Sequence, residues 1–132
     1  MTDLREMVMD TRSEHALIGV HPDLVHVMRL ASKHIPFIVT EGLRSIEHQT
    51  ELFKAHATQT MHSRHLTGHA CDVAALVSNQ VRWDWPLYQH IADVVKNVAL
   101  DEGISLEWGG DWRTFKDGPH FQLAFSHYPD KE

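Results

Sequence analysis

Apolar residues recur at three- and four-residue intervals in two stretches of the chain. Leu24, Val27, Met28 and Ala31 form the first; Leu87, Ile91, Val94, Val95 and Val98 form the second. A period of about 3.6 residues puts each set on one face of a helix that packs on a core. The punctuation agrees. His21-Pro22-Asp23 opens the first helix and Pro36 stops it, while Asp84 with Pro86 starts the second and Gly103 ends it. Ser45 is a cap for a further helix carrying Ile46, Gln49, Leu52 and Phe53. Between the helices lie short runs that suit strands: 37–40, 69–76, 104–108 and 120–125. Gly109-Gly110 reads as a turn, 58–67 as polar and turn-like, and the segment before Gly19-Val20 as turn-rich. The order is helix, strand, helix, strand, helix, strand, strand. It predicts an α+β fold with helices flanking a small, largely antiparallel sheet.

Length and charge narrow the class. At 132 residues the chain suits one domain spanning 1–132, with one core and no second domain. A hydrophobic fraction of 42% and a charged fraction of 23% are ordinary for a globular protein. The formal net charge of -6 argues against nucleic acid as a partner, because phosphate binding requires a basic face. It argues equally against a polybasic membrane anchor. No stretch approaches the roughly 18 apolar residues of a membrane span, so no membrane insertion is expected. The acidic start, with Asp3, Glu6, Asp10 and Glu14, lacks the pattern of a secretory signal, so synthesis in the cytoplasm is expected. Cys71 stands alone and forms no internal disulfide. The twelve histidines are too many to point to a site by number; spacing and context must do so.

Two segments carry candidate chemistry. In Ser63-Arg64-His65-Leu66-Thr67-Gly68-His69-Ala70-Cys71-Asp72, a histidine and an aspartate stand seven residues apart. Imidazole nitrogen and carboxylate oxygen both suit zinc. The spacing exceeds one helical face, but a loop turning at Gly68 into a strand would bring the two together. Asp72 lies among Ala70, Val73, Ala74 and Ala75, where a lone ionised carboxylate is costly unless paired or metal-bound. Taken alone, the pair also fits a backbone-bonded aspartate beside a solvated histidine. His62 and His69 compete for the ligand role, although the i, i+4 spacing of His65 and His69 needs a helix that Gly68 disfavours. In the second segment, Asp117-Gly118-Pro119-His120-Phe121, an acid precedes a histidine across a Gly-Pro turn. If His120 is a third ligand, Asp117 is placed to act as general base on a metal-activated water. An ordinary turn followed by a strand histidine explains the same residues.

Together the segments resemble a family. Ser-x-His-x-x-Gly-x-x-x-Asp followed late by acid-x-x-His is similar to the zinc D-alanyl-D-alanine carboxypeptidase (peptidase M15) family and its L-alanyl-D-glutamate peptidases. Glu41-Gly42-Leu43-Arg44-Ser45-Ile46-Glu47-His48-Gln49 and Trp108-Gly109-Gly110-Asp111-Trp112 resemble theirs too, so the likeness runs from about residue 20 to 126. The Asp at 117, where the carboxypeptidases generally carry Glu, points to the short phage endolysins.

The resemblance implies a hedgehog/DD-peptidase-like α+β fold. It implies a Zn2+ ion on His65, Asp72 and His120, with Asp117 as catalytic base and acid. Arg44, Gln49 and Ser63 become substrate-binding residues. The implied substrate is the peptidoglycan stem peptide, cut at L-Ala–D-Glu by a monomeric enzyme during host cell lysis. The enzyme would wait in the bacterial cytoplasm until a holin releases it to the wall. The alternatives are a D-Ala–D-Ala carboxypeptidase and a non-catalytic zinc-binding module. Trp83, Trp85, Trp108 and Trp112 are expected in the core or in helix packing, and Cys71 as a small strand residue.

Overall fold

The computed structural model describes residues 8–56 and 63–129. The first helix among the described residues, α1 (Thr11–Ala16), is one the pattern did not predict. Only Ser13 is buried on it, so it carries no apolar stripe to read. Asp10 caps it by accepting from the Ser13 backbone N–H, and Glu14 pairs with the distant Arg29 at 2.6 and 3.0 Å. Helix α2 (Pro22–Ala31) buries Leu24, Val27, Met28 and Ala31, as the stripe predicted, with His21 Nδ1 capping the Asp23 N–H at 3.0 Å. Helix α3 (Ile46–Lys54) starts at the Ser45 cap but buries only Gln49, leaving Ile46 and Phe53 exposed. Helix α4 (Trp85–Asp101) buries Tyr88, Ile91, Ala92, Val95 and Ala99, with Val94 and Val98 at the margin. No described helix is long and apolar enough to cross a membrane.

The sheet comprises β1 (Phe37–Glu41), β2 (Ala70–Val77), β3 (Gln80–Arg82), β4 (Leu106–Trp108) and β5 (His120–Leu123). All pairs are antiparallel. The order β1-β2-β5-β4 places β2 centrally, and β3 also pairs with β2. β1 lies along one edge of β2. The other edge is divided: β5 pairs with Ala70 to Asp72, and β3 with Ala75 to Val77. Strand β3 was not predicted. It returns through Ser78 and Asn79, both at positive φ (51° and 64°), which is the geometry of a tight two-residue hairpin. The last strand ends at Leu123, short of the expected Phe125, which is exposed.

One apolar cluster joins α2, α4 and the sheet. It includes Leu24, Met28, Val39, Cys71, Val73, Ile91, Val95, Phe121 and Leu123. Cys71 is fully buried in β2, as expected, and burial pushes its thiol pKa up. Of the tryptophans only Trp108 belongs to this cluster; Trp83 and Trp85 are exposed. Between Val39 and Glu41 the β1–β2 register shifts, leaving Thr40 as an extra residue. Such bulges re-aim side chains beside functional sites. Here the bulge sets Glu41 opposite Asp72, which faces His120 on its other side.

Candidate metal centre

His65 sits on a 3-10 turn, Arg64–Thr67, that leads into β2. Ser63 caps the turn, its Oγ accepting from the His65 N–H at 3.1 Å. Gly68 ends it at φ 76°, a left-handed conformation that favours glycine. A Cβ there would also run into the Gly19 carbonyl oxygen. The turn therefore reverses direction within one residue and delivers His65 over the start of β2, as the seven-residue spacing required. The His65 ring is 2% exposed, and its Nδ1 lies 2.8 Å from the Gly42 carbonyl oxygen. A carbonyl can only accept, so Nδ1 carries the proton and Nε2 presents its lone pair.

That lone pair faces Asp72. His65 Nε2 and His120 Nδ1 each lie 3.3 Å from Asp72 Oδ1. Donor atoms of the three residues all fall within 4.8 Å of one another, the one such cluster among the described residues. His65 Nε2 and Asp72 Oδ1 are buried and have no hydrogen-bond partner. Buried polar atoms are rarely left so, because each costs about 1–3 kcal/mol. A cation bound between them would satisfy both. Two imidazole nitrogens and a carboxylate oxygen form a donor set that can hold a metal, and a catalytic zinc typically keeps three protein ligands and an open position. The electrostatics agree. Burial alone would raise the Asp72 pKa, but His120 and His65 hold it well below the usual carboxylate range. Burial likewise opposes protonation of His120, yet Asp72 raises its pKa.

Asp117 precedes β5 in a turn where the His120 N–H bonds the Asp117 carbonyl at 3.2 Å. The Trp108 indole fixes this turn by donating to the Gly118 carbonyl at 2.7 Å, and Val73 N–H donates to the Pro119 carbonyl at 2.9 Å. Burial raises the Asp117 pKa, and the charge of Asp72 raises it further, against smaller opposing effects of His120, His65 and Arg44. The Asp117 carboxyl is therefore coupled to the whole cluster.

Arg44 joins the cluster from the other side. Its side chain is 8% exposed, and its backbone N–H donates to the His65 carbonyl at 2.9 Å. Nε donates to Glu41, Nη1 to Gln49 Oε1 at 2.7 Å, and Nη2 lies 3.7 Å from Asp72 Oδ2. Gln49 is thus brought to Arg44, whereas Ser63 is seated at the His65 turn. His69 lies outside the cluster, with Nδ1 against Thr67 Oγ1 at 2.6 Å. His62 falls outside the described residues.

The sequence did not single out every neighbour. Glu41 anchors Arg44, and Trp112, expected in packing, lies against the His120 ring at 5.0 Å. Gln122 Oε1 lies 2.8 Å from His120 Nε2, and Gln122 Nε2 donates to Glu107 Oε2 at 3.0 Å. The i, i+2 spacing of His120 and Gln122, which places both on one face of a strand, is a signal that could have found Gln122.

The model of the family described as phage L-alanyl-D-glutamate peptidase matches residues 6–124. The chain belongs to that family. Within the phage L-alanyl-D-glutamate peptidase family, a relative from Listeria phage A118, an L-alanyl-D-glutamate peptidase, is 37% identical over 98 residues. The match covers 74% of this chain but 34% of that one, so the chain spans about a third of that relative's length. The crystal structure of the Serratia marcescens L-Ala D-Glu endopeptidase ChiX superposes with a TM-score of 0.87 at 53% identity, covering 96% of this chain and 97% of that one. The vancomycin-resistance D,D-dipeptidase VanXYg shares the fold, with a TM-score of 0.52 at 22% identity over 79% of this chain and 50% of its own. The family and the α+β fold are those the sequence motifs predicted.

Proposed function

We propose that the chain is a zinc peptidase that hydrolyses the L-Ala–D-Glu bond of peptidoglycan stem peptides. The observation that carries this reading is the convergence of His65 Nε2, Asp72 Oδ1 and His120 Nδ1, two of them buried without partners. The 53% identity to an L-Ala D-Glu endopeptidase over nearly the whole chain supports the substrate. Zinc held by the three residues would polarise the scissile carbonyl and acidify a water from a pKa of roughly 15.7 to about 7. Asp117, with its raised proton affinity, takes the proton of the attacking water and passes it to the D-glutamate nitrogen as the C–N bond breaks. The role in lysis of a bacterial host, after release from the cytoplasm, belongs to the same reading and rests on the family's phage members.

Mass analysis of digested muropeptides tests the cleavage site. Release of intact stem peptides lacking L-Ala at their amino end is expected. Loss of a single terminal alanine would instead assign D-Ala–D-Ala carboxypeptidase activity.

Arg44 is the residue to hold the substrate. In a stem peptide, D-glutamate is linked onward through its side chain, which leaves its α-carboxylate just past the cut. Guanidinium offers five N–H donors; Glu41 and Gln49 take one each. The remainder can grip that carboxylate, and the Glu41 and Gln49 contacts hold the plane in place. Arg44→Lys keeps the charge and loses the fork. About 1.5–3 kcal/mol for such a bond predicts a fall in kcat/KM of about 10- to 100-fold on an unamidated stem peptide. The variant should also lose the preference for the free α-carboxylate over its amide. Unchanged kinetics on both substrates would remove Arg44 from this role.

A further inference from the structure

Both histidines of the cluster face it with one nitrogen and turn the other toward the protein, but they use opposite atoms. His65 presents Nε2, because Gly42 accepts from Nδ1. His120 presents Nδ1, so something must keep the proton on its Nε2. We infer that Gln122 and Glu107 form a relay that sets the His120 tautomer and so positions it as a metal ligand. This rests on the metal-site reading above.

The logic is directional. Glu107 lies at the exposed end of the relay, and an ionised carboxylate only accepts. It therefore draws the amide nitrogen of Gln122 to itself, at 3.0 Å. The amide cannot then present nitrogen to the ring, so Oε1 faces His120 Nε2, at 2.8 Å. An oxygen there requires Nε2–H, which leaves the lone pair on Nδ1, 3.3 Å from Asp72 Oδ1. The sheet supplies the alignment. Glu107 and Gln122 are direct cross-strand partners of β4 and β5, and Gln122 follows His120 by two residues on the same face. Neither Gln122 nor Glu107 contributes a donor atom to the cluster. Their effect is on which nitrogen of His120 is available, and partners of this kind are typically worth about 10- to 100-fold in metal affinity.

Two variants separate this from a merely structural role. Gln122→Met keeps length and removes the acceptor. The double variant E107Q/Q122E exchanges the two groups. The carboxylate introduced on β5 then accepts both from His120 Nε2–H and from the amide introduced on β4, so the proton stays on Nε2. Zinc affinity is measured by competition with a chromophoric chelator. The tautomer of the His120 ring is read from its 15N shifts in the metal-free protein at a pH where the ring is neutral. We expect zinc affinity to fall about 10- to 100-fold in Gln122→Met, with the ring shifting toward mixed tautomers. The exchanged pair should stay near the wild type in both measurements. Wild-type affinity and tautomer in Gln122→Met would overturn the relay, as would an exchanged pair behaving like Gln122→Met. A wild-type protein that bound no zinc would instead refute the metal reading, and the ring shifts would still decide the relay.

Discussion

A His65→Ala variant is expected to carry no zinc after dialysis and to release stem peptides no faster than background. The substitution removes one of three donors and leaves Asp72 and His120, two ligands on adjacent strands, which cannot close a site. On the zinc reading, the acidification of a bound water would disappear with it. A second cost falls on stability. The buried Gly42 carbonyl loses the ring N–H that satisfies it, at about 1–3 kcal/mol. Zinc content by atomic emission and turnover of muropeptides test the first part. Thermal melts with and without zinc test the second. Added zinc should raise the wild-type Tm, because it binds only the folded state, and should leave that of the variant unmoved. A variant with stoichiometric zinc and normal turnover would remove His65 from the site.

Asp117→Asn should separate binding from chemistry. Asparagine fills the same space in the turn between Trp108 and His120, and the backbone bond from His120 N–H to the residue 117 carbonyl is unaffected. Zinc affinity should therefore stay near that of the wild type. What is lost is a group that can accept a proton from water and return it to the departing nitrogen. Positioned acid–base groups contribute about 10²- to 10⁴-fold, and kcat should fall by that range with little change in KM. The environment of Asp117 suits a general base, since burial and the neighbouring Asp72 raise its affinity for a proton above that of a free carboxylate. Near wild-type turnover in a zinc-loaded Asp117→Asn protein would refute its assignment as base.

Helices α2 and α4 were legible in the sequence because their buried residues recur at one helical period, bounded by prolines and a glycine. Helix α1 was not, since its anchors are a cap, one buried serine and an ion pair to Arg29, none of which leaves a periodic trace. The β3 hairpin turns on Ser78-Asn79, a weaker signal than a glycine-containing pair, and its residues are exposed on both faces. The grouping of His65 with Asp72 was legible for a different reason. Gly68 marked the turn, and Asp72 was an acid stranded in an apolar strand. What surrounds the cluster was hidden because it depends on pairing between distant segments. Glu41 comes opposite Asp72 only through the bulge in β1, and Glu107 reaches Gln122 only because β4 pairs with β5 in that register. The exposed Ile46 and Phe53 of α3 show the limit of reading apolar residues as core.

The connection between α1 and α2 supplies no donor atom to the cluster, yet two carbonyl groups at and beside it delimit the backbone on either side of His65. A Cβ on Gly42 would strike the Ala16 carbonyl oxygen, and one on Gly68 would strike that of Gly19. Gly42 in turn holds the His65 ring, and Gly68 sets where its turn ends. The segment around 16–20 thus works as a mould against which the His65 loop is cast. Sequence drift in that mould would reach the candidate site as a displacement of main chain, with His65, Asp72, His120 and Asp117 all still in place.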